Sequence, residues 1–215
     1  MSYKEASYRQ WNPDLPRSIQ TIQAHGNCVY KCAWSPHNPS VLATASGDGS
    51  AAIFDLRAGG GGTGYARPVS TMSVGGEVLS LDWNKYRPMT LATGSTDRAV
   101  KVWDGRAMSS TPEKIPSAPL TESAVLVGHQ YAVRSIAWST HQPNILGSAG
   151  YDMSVRIWNV DDVPPAAGVP LLRSPRMIYP MHKEFVVGLA WSLFERGVIA
   201  SSSWDCETHV WPVAV

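Results

Sequence analysis

Histidine, aspartate and serine are the side chains of this sequence with the clearest capacity for chemistry, because a Ser-His-Asp set performs nucleophilic catalysis in hydrolases. An aspartate follows a histidine at one fixed separation in three pairs, which are His25 and Asp48, His129 and Asp152, and His182 and Asp205. A catalytic set needs to occur only once in a chain, whereas this arrangement recurs. The recurrence therefore predicts a structural hydrogen-bonded tie and argues against a catalytic site.

The same pairs belong to a longer repeat whose reference copy is residues 128–159. This segment opens with a Gly-His pair, alternates in polarity up to Trp138, turns at Asp152 and closes at Trp158. Tryptophans at the place of Trp138 recur every 49 to 55 residues, at Trp34, Trp83, Trp138 and Trp191. A fixed period of this size is typical of arrays in which each repeat forms one small structural unit.

Each repeat is predicted to consist of short β-strands, because segments rich in β-branched and aromatic residues are separated by Gly, Pro and Asp. We expect a remnant of a preceding unit, followed by four units, in residues 1–23, 24–73, 74–127, 128–180 and 181–215. Every unit has three strands and a fourth, outer strand, except that the last unit lacks its own outer strand. The long insertions before the outer strands are expected to be exposed loops, at residues 59–62, 109–119 and 161–175.

The tie within each unit is predicted to join four side chains. The aspartate accepts a hydrogen bond from the histidine ring, the ring meets a hydroxyl on the second strand, and that hydroxyl meets the indole of the third strand. The predicted members, besides the histidine and aspartate pairs above, are Asp97, the hydroxyls of Ser46, Ser95 and Ser203, and the indoles of Trp103, Trp158 and Trp211.

Three positions depart from this pattern and are expected to weaken their ties. Phe54 replaces an indole, Val74 stands in place of a histidine, and Gly150 stands where the third unit should have its hydroxyl. We expect these units to depend more on packing. Asp48 and Asp97 are then expected to need another partner or a water molecule, because an unpaired buried carboxylate is costly.

Composition argues against several functional classes. The chain has 215 residues and a formal net charge of +1, so no basic field predicts a nucleic-acid partner. The cysteines are few and are predicted to be free thiols, and we expect no metal ion or other cofactor. We also expect no membrane span and no signal peptide, because apolar runs of the necessary length are missing. The glycine run at residues 59–62 lacks the lysine and helix of a phosphate-binding loop, so a flexible connection is expected.

Repeated four-stranded sheets that end in Trp-Asp or its variants resemble the WD-repeat β-propeller, and the matching pairs are residues 54–55, 103–104, 158–159 and 210–211. The residues between the repeat positions carry a closer resemblance, in segments 34–39, 79–86, 128–134, 151–159 and 182–193. In this order they look like the C-terminal part of the peroxin-seven family, the WD-repeat receptors for the type-2 peroxisomal targeting signal. The resemblance extends from about Trp11 to Trp211.

This resemblance implies an all-β WD-repeat β-propeller with four four-stranded blades, as part of a seven-bladed ring. Seven blades of roughly 40–45 residues need about 300 residues. The chain is therefore expected to be a truncated form whose N-terminal blades are missing. The alternative is closure as four blades, with residues 17–23 as the outer strand of the last unit.

The resemblance also implies a cytoplasmic receptor that cycles to the peroxisome. Its cargo would be the N-terminal targeting helix of peroxisomal matrix proteins, bound together with a peroxin co-receptor and delivered to the docking complex at the peroxisomal membrane. Neither a nucleic-acid partner nor direct membrane insertion is expected. The competing interpretations are a scaffold subunit of a chromatin or ubiquitin-ligase complex, and a fragment that binds no cargo. An enzyme is not expected, because no set of catalytic residues occurs only once.

An amphipathic helix is recognised by apolar anchors that supply affinity and by charges that set its register. In a propeller of this kind, the loops entering the first strands and the turns after the second strands form one rim. The candidate cargo contacts on this rim are Glu77, Tyr131, Tyr151, Glu184, Phe185 and Trp204. Glu77 and Glu184 are predicted to pair with the basic residue of the helix.

Overall fold

A computed structural model describes residues 6–10, 14, 16, 20–57, 68–105, 120–161 and 172–214. The predicted loops at residues 59–62 and 109–119 lie outside the described residues, as does most of the proline-rich connection at 161–175. The described residues contain no helix that is long and apolar enough to cross a membrane.

Strands are the regular elements of the described residues, and the sequence positions of the first strands follow the predicted repeat. They are β1 (Ala6–Gln10), β2 (Gln20–His25), β3 (Val29–Trp34), β4 (Val41–Ser46), β5 (Ser50–Asp55), β6 (Ser70–Ser73), β7 (Val78–Trp83), β8 (Thr90–Ser95), β9 (Ala99–Asp104), β10 (Thr121–Val127), β11 (Val133–Trp138), β12 (Ile145–Gly150), β13 (Val155–Asn159), β14 (Leu172–Arg173), β15 (Met177–Tyr179), β16 (Val186–Trp191), β17 (Val198–Ser203) and β18 (Thr208–Pro212).

The strands form four sheets of the same antiparallel topology, in which neighbouring strands follow one another along the chain, apart from β14, which lies between β13 and β15 in sequence. Sheet 1 has the order β3-β4-β5-β6, sheet 2 contains β7-β8-β9-β10, sheet 3 is β11-β12-β13-β15, and sheet 4 is β16-β17-β18. Strands β1 and β2 form a separate antiparallel pair ahead of sheet 1. The prediction of an all-β WD-repeat propeller with consecutive blades is confirmed by this topology.

The second strand of each complete sheet shows why the sheets stack. Every residue of β4, β8 and β12 is buried, so both faces of these strands are covered. Their sequences combine β-branched and aliphatic residues with Ala, Gly, Ser and Thr, which allow close approach. A Cβ atom on Gly94 would lie only 2.8 Å from Cγ1 of Val133 in the next sheet. Small residues at these positions therefore set the distance between neighbouring sheets.

The core is divided into layers between successive sheets. Trp83 packs against Val41 and Ile53 between sheets 1 and 2, and further apolar clusters fill the spaces between sheets 2 and 3 and between sheets 3 and 4. Ile22 of β2 packs on Phe54 of sheet 1. Burying a side chain of this size contributes about 1.5–3 kcal/mol relative to leaving it in water, so the layers stabilise the stack.

The first strands of the sheets lie side by side, since β3 contacts β7, β7 contacts β11, and β11 contacts β16. Each contact includes a hydrogen bond from the tryptophan that ends a first strand to a carbonyl of the preceding first strand. The indole Nε1 atoms of Trp83, Trp138 and Trp191 donate across 3.1, 3.2 and 2.9 Å to the carbonyl oxygens of Ala33, Asp82 and Ala137. The sequence showed the period of these tryptophans but not this bond.

Two details of strand pairing differ from the sequence-based alternatives. Sheet 2 gains an unpredicted fifth strand, because β14 pairs in parallel with β10. The pairing of β2 also differs from the four-bladed alternative, in which this region would complete sheet 4. It pairs with β1, and sheet 4 has three strands in the described part of the chain.

Candidate functional site

The tie of sheet 3 contains the histidine and aspartate of the reference repeat. His129 precedes β11 and Asp152 lies in the turn between β12 and β13, and Nδ1 of His129 is 2.9 Å from Oδ2 of Asp152. On the other side of the ring, Nε2 of His129 is 2.7 Å from Oγ of Ser148. The indole Nε1 of Trp158 donates to the same hydroxyl oxygen at 2.8 Å. Every polar side-chain atom in this series of hydrogen bonds has a partner when Nδ1 of His129 carries the proton.

Electrostatics support a neutral histidine next to an ionised aspartate. Desolvation by burial lowers the pKa of His129, and Asp152 opposes this effect only in part. Burial by itself raises the pKa of Asp152, but hydrogen bonds from His129, Ser154 and the Gln130 N–H outweigh it and hold this pKa well below its usual range. The two side chains are only 1% and 4% exposed, so the tie offers no surface to a substrate.

Sheets 1 and 4 contain the same tie with other hydroxyls. Nδ1 of His25 is 3.0 Å from Asp48, and its Nε2 is 2.7 Å from Oγ1 of Thr44. Asp48 therefore has a partner, although Phe54 cannot supply the indole N–H. In sheet 4, the histidine, aspartate, hydroxyl and indole are His182, Asp205, Ser201 and Trp211, joined at 3.1, 2.8 and 3.4 Å.

The prediction of the hydroxyls was wrong by two residues. The tie uses Thr44, Thr93, Ser148 and Ser201, and not Ser46, Ser95 and Ser203. Residues two apart point to the same face of a strand, so alternation could not distinguish the two candidates. The position of the histidine ring selects the hydroxyl. The ring lies beside the residue two positions before the end of the second strand, and not beside the last residue of that strand.

The three predicted serines instead stabilise the turns. Ser46 donates to the carbonyl of Asn27 and accepts from the N–H of Asp48, at 3.2 and 3.1 Å. Ser203 has the same pair of bonds, to the Glu184 carbonyl and from the Asp205 N–H. Ser95 donates directly to Asp97. These hydroxyls hold the ends of the second strands in place.

The place of Gly150 in the repeat suggested that this residue weakens the tie of sheet 3. The structure shows that the tie is complete. A Cβ atom at this position would lie 2.9 Å from Nδ1 of His129 and 3.0 Å from the carbonyl oxygen of Ala132. The hydroxyl of this unit is supplied by Ser148. A side chain at this position would therefore force the His129 ring or the Ala132 backbone to shift, whereas sheets 1 and 4 accommodate Ser46 and Ser203 at the equivalent place.

Replacing Gly150 by serine, which would match the repeat pattern, is expected to destabilise the protein by about 1–3 kcal/mol, because the new atoms overpack the tie. The urea midpoint of unfolding, followed by far-UV circular dichroism, measures the change. Gly150→Ala is the matched control and should cause a similar loss, since the clash is with Cβ. A rise in stability for Gly150→Ser would contradict the packing argument.

In sheet 2, a lysine replaces the missing histidine. Val74 stands at the histidine position, and the ammonium group of Lys101 donates to its carbonyl oxygen. The same Nζ atom lies 3.4 Å from Asp97 and 3.8 Å from Glu122. Trp103 donates to Thr93 at 2.9 Å without a histidine beside it. Asp97 thus pairs with Lys101. The sequence predicted that Asp97 needs a partner but did not identify which residue provides it.

Three of the six rim candidates form one aromatic cluster. Tyr151 lies in the second turn of sheet 3, whereas Phe185 and Trp204 lie at the same end of sheet 4. The ring centroids of Tyr151 and Phe185 are 4.8 Å apart, those of Phe185 and Trp204 are 5.3 Å apart, and those of Tyr151 and Trp204 are 6.4 Å apart. Trp204 remains 61% exposed. We call these three residues the rim cluster.

The other three candidates occupy different parts of the rim. Glu184 is exposed and directly precedes Phe185 in the sequence. Tyr131, at the start of sheet 3, is 63% exposed. Glu77, at the start of sheet 2, accepts a 3.1 Å hydrogen bond from Tyr30 of sheet 1, which raises the pKa of Tyr30.

Tyr30, the second residue of β3, was not predicted as a rim residue, and its place in the repeat corresponds to that of Arg134 in β11. Its bond to Glu77 joins the rims of sheets 1 and 2. The exposed rim thus offers aromatic surface next to carboxylates. An aromatic surface with carboxylates at its border suits a ligand that presents apolar and basic groups together. In the described residues, no group of three or more His, Cys, Asp or Glu side chains is arranged to hold a metal ion.

Comparison with known proteins identifies the repeat. The model of the WD domain, G-beta repeat family matches residues 16–55, 67–104 and 120–159, which together are more than half of the chain. Each match runs from an outer strand through the first three strands of the next sheet.

Several curated relatives have the name Peroxisomal targeting signal 2 receptor. The relative from Saccharomyces cerevisiae is 33% identical over 91% of this chain and 55% of its own length. Those from Komagataella phaffii and Schizosaccharomyces pombe are 36% and 26% identical, over 87% and 96% of this chain and 50% and 59% of their own lengths.

The chain therefore spans about half the length of the curated relatives it matches. Its similarity to them extends across all four sheets, which confirms the resemblance that the residues between the repeat positions indicated. The matched repeats, the sheet topology and the recurrent ties lead to one conclusion: the chain belongs to the WD-repeat family.

Proposed function

We propose that this chain acts in peroxisomal protein import as a receptor for the type-2 targeting signal. The observation that carries the proposal is its similarity to the curated type-2 signal receptors over about 90% of its length, at 33–36% identity for two of them. The rim cluster and its neighbouring carboxylates support the proposal, because they combine the two kinds of contact that an amphipathic basic helix needs.

In the proposed binding mode, the N-terminal targeting helix of a matrix protein lies across the rim. Its aliphatic face packs on Tyr151, Phe185 and Trp204, and its basic residue pairs with Glu184. Tyr131 and Glu77 extend the contact toward sheets 2 and 1. Apolar burial supplies most of the affinity, and the carboxylates favour one orientation of the helix.

The partners and location follow from the same proposal. A peroxin co-receptor binds the helix jointly with this chain, and the complex is delivered to the docking complex at the peroxisomal membrane. The receptor works in the cytoplasm and cycles to the peroxisomal membrane or matrix. A formal net charge of +1 agrees with protein partners, because nucleic-acid binding requires a basic surface. The buried, repeated ties act as structural elements, and we assign no catalytic role to them.

A labelled type-2 signal peptide, titrated with this chain and followed by fluorescence anisotropy, tests the proposal. We expect saturable binding that the co-receptor strengthens, and weaker binding of a control peptide whose basic residue is replaced by glutamate. The absence of binding with the co-receptor present would overturn the proposal for this chain. Binding of a histone tail or a ligase adaptor in a parallel titration would favour the scaffold interpretation instead.

A further inference from the structure

Two Ser-Pro dipeptides occur in the described residues, and they differ in accessibility. They are Ser35-Pro36, which follows β3, and Ser174-Pro175, which lies between β14 and β15. Ser35 is 8% exposed, and its Oγ accepts a hydrogen bond from the N–H of His37 at 3.3 Å. Ser174 is exposed. A serine followed by proline is the pattern that proline-directed protein kinases recognise. Among the described residues, Ser174 is therefore the accessible serine of this pattern.

The backbone around Ser174 is suited to binding by a kinase. Protein kinases bind their substrates as extended segments, and the proline after Ser174 disfavours a helical conformation and favours an extended one at this serine. On the N-terminal side, β14 pairs with β10 through two residue pairs. A ladder this short costs little free energy to open locally. The segment is thus able to leave the edge of sheet 2 while the rest of the sheet stays folded.

A buried guanidinium group with unused donors lies beside this segment. Arg156 of β13 is 8% exposed. In the described part of the chain, its Nη2 donates to Asp152 at 3.2 Å and its Nε has no hydrogen-bond partner. A guanidinium group has five N–H donors, so donors remain for an anion.

The position of Gly128 shows that this guanidinium group is close to the Ser-Pro dipeptide. A Cβ atom on Gly128 would lie 2.9 Å from Nη1 of Arg156 and 3.4 Å from Cδ of Pro175. Nη1 and the proline ring are therefore neighbours, and Ser174 precedes that proline directly. A negative group on Ser174 would thus be attached next to the donors of Arg156.

The residues that flank Ser174 add positive charge. Arg173 precedes it and Arg176 follows two residues later, and residues 172–180 contain no acidic side chain. Arginine pairs with phosphate through parallel N–H···O bonds, and such charge-assisted bonds are about twice as strong as neutral ones. The chain thus provides both an accessible hydroxyl and a basic environment for the phosphate that the hydroxyl would carry.

We propose that Ser174 is a phosphorylation site for a proline-directed protein kinase, and that the phosphate group binds the guanidinium group of Arg156. The kinase transfers the γ-phosphoryl group of ATP to Oγ of Ser174. The serine O–H bond and the terminal P–O–P bond of ATP break, a new O–P bond forms, the proton passes to the catalytic base of the kinase, and ADP leaves. The product side chain has a charge of about −1.5 to −2 at pH 7. Its bond to Arg156 fixes the connection between β14 and β15 onto sheet 3. The proposal does not depend on the proposed receptor function.

Incubating the folded chain with a proline-directed kinase and MgATP, followed by tandem mass spectrometry, tests the modification. We expect Ser174 to be phosphorylated, and Ser35 to react at least about ten times more slowly, because its buried hydroxyl requires local opening. A synthetic peptide of residues 31–41 should be phosphorylated at Ser35, which would show that the fold protects this serine. Ser174→Ala should remove the phosphate at position 174. A folded chain that stays unmodified at Ser174, while a peptide of residues 170–180 is modified, would overturn the proposal.

Phosphorus NMR over a range of pH tests the contact with Arg156. Because nearby positive charge favours the dianion, the phosphate on the folded chain should titrate at least about 0.5 pH units lower than the phosphate on the 170–180 peptide. The peptide contains Arg173 and Arg176, so the difference measures what the fold adds. Arg156→Gln should remove this difference, whereas Arg176→Gln is the matched control and should retain most of it. Far-UV circular dichroism checks that both variants are folded. Equal titration midpoints for the wild-type chain and the peptide would overturn the contact without the use of any variant.

Discussion

Replacing Asp152 by alanine is expected to destabilise the protein by about 3–5 kcal/mol, the usual cost of removing one partner from a buried charged pair. The carboxylate accepts hydrogen bonds from His129, from the Ser154 hydroxyl and from the Gln130 N–H, and it lies 3.2 Å from Nη2 of Arg156. Arg156 is itself buried, and its Nε has no hydrogen-bond partner in the part of the chain that the structure describes. Without Asp152, the histidine and the guanidinium group would both lack their acceptor.

Urea unfolding followed by far-UV circular dichroism measures this loss, and hydrogen exchange of β12 and β13 locates it. Asp48→Ala is the matched control, because Asp48 has the same role in sheet 1 but its side chain is 24% exposed and lacks an arginine partner in the described residues. We expect that variant to lose only about 1–2 kcal/mol, as for an ordinary hydrogen-bonded turn or cap. Equal losses for the two variants would contradict the role assigned to burial.

Replacing Phe185 by alanine is expected to weaken binding of a type-2 signal peptide by at least about 30-fold, or about 2 kcal/mol, as for the central aromatic residue of an interface. Phe185 contacts both Tyr151 and Trp204, so its removal opens the centre of the rim cluster. Fluorescence anisotropy titration in the presence of the co-receptor measures the change. Phe194→Ala, at an exposed phenylalanine of the same sheet, should leave the affinity unchanged.

Charge reversal separates recognition from folding at the same site. Glu184→Lys should weaken binding of the natural peptide, and a peptide whose basic residue is replaced by glutamate should recover part of the affinity toward this variant. Glu77→Lys should have the smaller effect, because Glu77 lies away from the rim cluster and is bonded to Tyr30. Unchanged affinity for both Phe185→Ala and Glu184→Lys would remove this part of the rim from the proposed binding site.

The repeat period was enough to determine the fold class and the histidine–aspartate contacts. Equal spacing from histidine to tryptophan to aspartate produces the same strand lengths and turns in each unit, so the partners meet at the same place in every sheet. The geometry of His129 with Asp152 and of His182 with Asp205 follows from this local regularity. The strand lengths and turns of each unit follow from local strand and turn preferences, which can be recognised from the residues alone.

Only the tertiary structure decided which atoms complete each tie. Thr44 and Ser46 point to the same face of β4, and the depth of the histidine ring selects Thr44. Lys101 replaces a histidine because the fold brings its ammonium group to Asp97 and to the backbone at Val74. Both outcomes depend on distances in three dimensions, and the alternation of side chains along a strand does not specify those distances.

The rim cluster likewise required the packing of two sheets. Tyr151 and Phe185 are far apart in sequence and meet because sheets 3 and 4 stack with their turns at one end. The sequence by itself determined that both residues belong to that end of their units. Their contact depends on how closely neighbouring sheets approach, and the small side chains on the faces between the sheets set that distance.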